Sequence, residues 1–178
     1  HWAVGAWLAG LRSHPYNGRV STTVRVLAID LGTKNVGLAV SDPLGLTAQG
    51  LPTLRRTNRR ADLARLRELV EALGVMRVVV GHPLHLKGYA SARAQEAERF
   101  ADWLRAELNV PVELFDERLT TVEAERHLRA VGASRSKRKQ AVDQIAATLL
   151  LQAYIDRQAA QRASADLPAP APPKAGPA

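Results

Sequence analysis

Asp30 closes the apolar run VLAID at residues 26–30. An unpaired carboxylate is expensive to bury there, so a cation or a set of donors must hold its charge. Asp116 and Glu117 close a second apolar run, VPVELFDE, at 110–117. Asp143 interrupts AVDQIAATLLLQAY, and its helical neighbours Ala146, Ala147 and Leu150 put it on an apolar face. Acids at element ends that converge on one edge repel one another. A hard divalent cation with oxygen ligands, Mg2+ or Mn2+, relieves that repulsion. Two such ions close together activate a water and stabilise the leaving oxygen in phosphodiester cleavage. In an extended strand Asp116 and Glu117 point to opposite faces, so only one of them serves such a site, and residue chemistry alone leaves the choice open. Taken singly, each acid also fits a structural role: Asp30 organising the GTKN turn, Asp116 or Glu117 paired with Arg118, Asp143 paired with Lys139.

Cations accompany these acids. Lys34 lies in the turn after Asp30, and Arg118 follows Glu117. The connection GHPLHLKGYASAR (81–93) carries His82, His85, Lys87 and Arg93. Arg135, Lys137, Arg138 and Lys139 lead directly into the helix of Asp143. All these positions suit phosphate contacts, which make binding salt-dependent. The two histidines three apart have no third ligand at a convincing spacing, so zinc is not expected. A further run, Arg55, Arg56, Arg59 and Arg60, reads as a solvated face. The net charge of +8 favours a polyanionic partner, and nucleic acid is the expected one.

The elements that must position these residues follow from periodicity. VRVLAID (24–30) and VGLAVSD (36–42) read as a strand pair joined by a short turn, and AQGLPTL (48–54) as a third strand. Residues 59–73 place Leu63, Leu66, Leu69, Val70 and Leu73 at helical spacing, and Gly74 is the expected stop. MRVVVGHP (76–83) has the continuous apolar character of a strand covered on both faces. A helix is expected over 92–108, a fifth strand over 110–117, a helix over 120–132 and a last helix over 138–158. This order predicts an α/β fold, a mixed five-stranded sheet with helices on both faces. Right-handed crossovers then bring the ends of the first, fourth and fifth strands to one edge, where open α/β sheets bind ligands.

The chain of 178 residues suits one domain. Residues 1–23 read as an N-terminal extension of open status, 24–160 as the folded domain and 161–178 as a disordered Pro/Ala-rich tail. The chain has no cysteine, which fits a reducing cytoplasm. No apolar run approaches the length of a membrane span, and the apolar start HWAVGAWLAG lacks a basic leader.

AIDLGTKNVGLAVSDPLG, VVVGHPLHLKG, LFDERLTTVEAE and VDQIAATLLLQAYID resemble, in order, the motifs of the YqgF/RuvX family. The resemblance covers residues 24–158. It implies an RNase H-like fold related to RuvC resolvases and metal-dependent cleavage of structured nucleic acid. The implied substrate is the 5′ end of the 16S ribosomal RNA precursor, or branched DNA at a Holliday junction, which would call for a homodimer. Carried over by motif, the acids are Asp30, Glu117 and Asp143, and the family pattern prefers Glu117 to Asp116. His85 is a departure, since relatives commonly carry Asn there. AIDLGTKNVG also resembles the first phosphate loop of actin-like ATPases and sugar kinases, but the chain has room for one domain and lacks a second such loop. A non-catalytic nucleic-acid-binding module is the remaining competitor; it would not need three placed carboxylates.

Overall fold

A computed structural model describes residues 24–83, 91–116 and 135–165, the side chains of 135–141 excepted. Its elements are β1 (Val26–Leu31), β2 (Asn35–Ser41), β3 (Ala48–Arg55), α1 (Arg59–Leu73), β4 (Arg77–His82), α2 (Ala92–Glu107), β5 (Val112–Asp116) and α3 (Arg135–Ala165). The strands form one sheet in the order β3-β2-β1-β4-β5. β2 runs antiparallel to both β1 and β3, while β4 and β5 run parallel to β1. This is the expected mixed five-stranded, RNase H-like sheet.

Strand alternation divides the core in two. Leu27, Ile29, Leu38, Val78 and Val80 pack on one face with Leu63 and Leu66 of α1 and Ala97, Ala101 and Leu104 of α2. Val26, Ala28, Ala39, Val79 and Phe115 pack on the other face with Ala147, Leu150, Leu151, Tyr154 and Ile155 of α3. Helices therefore cover both faces.

Local chemistry fixes the element ends. The Asn58 side chain accepts from Ala61 N at 3.0 Å and caps α1; Ser91 does the same for α2 through Ala94 N at 3.1 Å. Gly74 ends α1 at φ 62°, a left-handed conformation that favours glycine. Pro52 is tolerated in β3 because that strand lies at the sheet edge, where its pairing with β2 shifts register between Val36 and Leu38. The last helix runs farther than its periodicity predicts, from Arg135 to Ala165, because RQAAQRASA continues it with good helix formers. The helix expected over 120–132 lies outside the described residues.

Candidate active site

β1, β4 and β5 all finish at one edge of the sheet, and β2 starts there. Asp30 has the alternation of Val26 and Ala28, so it faces α3. Its register partner on β2 is Gly37. A Cβ at Gly37 would overlap the carbonyl oxygen of Asp143 and lie 3.3 Å from Ala147 Cβ. The missing side chain lets α3 settle onto the sheet so that Asp143 comes beside Asp30. Gly50 on β3 repeats the device one strand out, where a Cβ would meet Gln144 and Thr148.

The two carboxylates interact. The Asp30 carboxyl is pushed up from the usual 3.8 to about 6, first by loss of hydration and then by the negative charge of Asp143. The positive charge of Arg93 pulls it the other way but does not win. Asn35, the first residue of β2, donates from Nδ2 to Asp143 Oδ2 at 3.1 Å and fixes that carboxylate's orientation. Arg56 steadies the intervening turn. Its Nη1 donates to Gly32 O at 3.0 Å and to Glu96 Oε1 at 2.9 Å, and its backbone N–H donates to Lys34 O at 2.9 Å. Neither Asn35 nor Arg56 stood out in the sequence. Asn35 carried a weak signal through its place in the GTKN turn, whereas Arg56 looked like one of four equivalent arginines.

His82 and Asp116 are register partners at the same edge but belong to the opposite face. His82 has the alternation of Val78 and Val80, and its Nε2 lies 2.9 Å from Glu98 Oε1 on α2. Asp116 has the alternation of Val112 and Leu114, which pack in the α1/α2 core. Asp30 and Asp143 thus meet on the α3 face while Asp116 does not. Lys34 is exposed in the turn after β1. Glu117, His85, Lys87 and Arg118 lie outside the described residues, as do the side chains of Arg135, Lys137, Arg138 and Lys139. The backbone of that basic run forms the α3 turns leading into Asp143.

A family profile for RuvX, described as Holliday junction resolvase, matches residues 24–157. A protein of Koribacter versatilis named "Putative pre-16S rRNA nuclease" is 51% identical over 138 residues, 78% of this chain and 90% of that one. A protein of Moorella thermoacetica with the same name is 52% identical over 134 residues, covering 75% and 96%. The chain belongs to the RuvX family. Membership makes it a nuclease, a phosphodiester hydrolase. Among solved structures, Thermus thermophilus RuvC in complex with Holliday junction substrate is similar at 18% identity and a TM-score of 0.45, covering 75% of this chain and 96% of that one.

The donors of this RuvX chain suit a hard divalent ion. Asp30 and Asp143 offer carboxylate oxygens from two directions, and their mutual repulsion is what a cation would relieve. Among the described residues no third acid or histidine completes a ligand group.

Proposed function

We propose that this RuvX nuclease trims the 5′ end of the 16S ribosomal RNA precursor, with Asp30, Glu117 and Asp143 holding two Mg2+ or Mn2+ ions. The observation that carries the reading is the pairing of Asp30 with Asp143 across Gly37, where the charge of Asp143 adds to the cost of ionising the partly desolvated Asp30. Such spending of stability at a sheet edge is expected of a metal-binding active site rather than of a passive binding module. Glu117 is preferred as third acid because Asp116 shares the face of Val112 and Leu114, away from Asp30. When bound, the ions supply an activated water and charge neutralisation at the leaving oxygen.

The protein's own groups do the positioning. Asp30 enters from β1 and Asp143 from α3, so the reacting phosphate is approached from both sheet and helix. Asn35 holds the Asp143 carboxylate in one orientation. Lys34 and the α3 run Arg135, Lys137, Arg138 and Lys139 contact phosphates that flank the scissile one. His85, Lys87 and Arg118 are assigned the same task by their motifs. His82 serves from the other face, through its bond to Glu98, by fixing the end of β4 to α2.

The family description, Holliday junction resolvase, favours a second reading, resolution of branched DNA. One assay separates the two. Purified wild type and Asp143→Asn each receive a precursor 16S RNA fragment and a four-way DNA junction, with Mg2+, Mn2+ or EDTA. RNA cut only by metal-loaded wild type supports ribosomal processing. Paired symmetrical cuts in the junction, by a protein that runs as a dimer, move the assignment to the resolvase. Equal cleavage by Asp143→Asn removes Asp143 from the site.

A further inference from the structure

The run RRTNRR at 55–60 looks uniform in sequence, but the fold sorts its four arginines into two kinds. Arg56 is used internally, bonded to the Gly32 carbonyl and paired with Glu96. Arg59 lies over the Trp103 ring, 5.6 Å from its centroid. Arg55 and Arg60 are exposed and have no carboxylate partner among the described residues. The same is true of Lys34. The nearby acid of the first α1 turn, Asp62, is turned inward and accepts from Thr57 N and Thr57 Oγ1 at 3.1 and 3.2 Å.

These three cations are tied to the active-site edge. Arg55 is the register partner of Asn35, the residue that holds Asp143. Lys34 is fixed through its carbonyl to the backbone of Arg56. Arg60 occupies the first turn of α1, whose capped N-terminus adds positive partial charge. The group borders the acids on the side of β3 and α1. The basic run of α3 precedes Asp143 on the helix that packs on the acids' own face of the sheet, the face Arg55 shares through its register with Asn35. A backbone crossing the acid pair toward β3 and the start of α1 would therefore meet Lys34, Arg55 and Arg60.

We propose that Arg55 and Arg60, continuing from Lys34, form a second phosphate-binding rim that grips the nucleic-acid arm leaving the cleavage site over β3 and α1. The proposal rests on the nuclease reading of the Asp30 edge for its choice of partner. Charge without counter-charge, held on anchored backbone, is the footprint of phosphate contacts, which position a substrate without reading its sequence.

The test uses the full chain carrying Asp30→Asn, so that binding is measured without cleavage. The probe is a fluorescent stem-loop from the 5′ leader of precursor 16S RNA, titrated at several salt concentrations. Arg55→Gln with Arg60→Gln should lower the slope of log affinity against log salt by about 2, one for each cation, and weaken binding uniformly. Arg55→Lys with Arg60→Lys should restore the slope, which a purely structural role would not require. Arg67→Gln, at a cation already paired with Glu107, should leave it unchanged. An unchanged slope in the double glutamine variant, or an equal loss in Arg67→Gln, overturns the rim. The nuclease reading is judged separately, on cleavage by protein with Asp30 intact. A lost slope beside absent cleavage keeps the rim and removes the catalysis; cleavage with an unchanged slope does the reverse.

Discussion

In metal-free protein Asp30 keeps its proton to about pH 6, against 3.8 for an ordinary aspartate. A carboxyl raised in this way binds more protons folded than unfolded, so its contribution to stability falls as pH rises from about 4 to about 6 and stays low above that. Part of the side chain remains in solvent, which reduces the penalty to about 1–3 kcal/mol at neutral pH. Asp30→Asn should therefore abolish cleavage yet melt higher than wild type in EDTA at pH 7.5. The gain should vanish below pH 4, and Mg2+ should raise the melting temperature of wild type more than that of the variant. Thermal melts across pH decide it; a variant less stable than wild type at pH 7.5 would show that Asp30 is not under strain. Asn35→Ala removes the donor that orients Asp143 and should cost about 10–100-fold in kcat with little change in melting temperature. Equal kcat in single-turnover assays would remove that role. Asp30 and Asp143 were legible in the sequence because an acid at the end of an apolar run, or on an apolar helix face, contradicts its surroundings. Asn35 contradicts nothing, since a turn asparagine needs no special explanation.

At the scale of elements, the site depends on how closely α3 seats against the sheet. Gly37→Ala places a Cβ into the backbone carbonyl of Asp143, which cannot swing aside. It should destabilise the protein by about 1–3 kcal/mol and lower cleavage by shifting Asp143 from Asp30. Gly50→Ala meets the side chains of Gln144 and Thr148, with nearest approaches of 2.7 and 2.9 Å. Those can turn, so it should cost less stability and leave cleavage closer to wild type. Melting curves and initial rates for both variants check the order. The sequence supplied the helix half of this contact through Ala146 and Ala147. The sheet half was hidden, because a glycine inside VGLAV looks like any other strand glycine until a helix is placed over it. Element types and most boundaries followed from periodicity, while the Asn58 and Ser91 caps became identifiable only once their helices had definite starts.

Across the whole molecule, the N-terminal ends of α1 and α2 and the Asp143 end of α3 all lie at the edge where β1, β4 and β5 finish. Tyr154, three turns farther along α3, reaches Arg77 and Glu113 at the starts of β4 and β5, so the helix spans the sheet from the site to its opposite end. No described helix is long and apolar enough to cross a membrane. Among the described residues, both cores draw their buried side chains from Val26 through Ile155. A chain of residues 24–165 should thus retain the melting temperature and cleave within about two-fold of the full chain. A collapse of either property would place residues 1–23 or 166–178 in the working protein. The sequence by itself determined the fold class and the family and nominated the acids, because hydrophobic period and misplaced charge are local properties. Tertiary structure alone decided that Gly37 seats Asp143 beside Asp30, that Asp116 and His82 belong to the other face, and that Arg55 and Arg60 differ from Arg56 and Arg59. Each of these depends on strand register or on contacts between residues far apart in the chain, which no local pattern encodes.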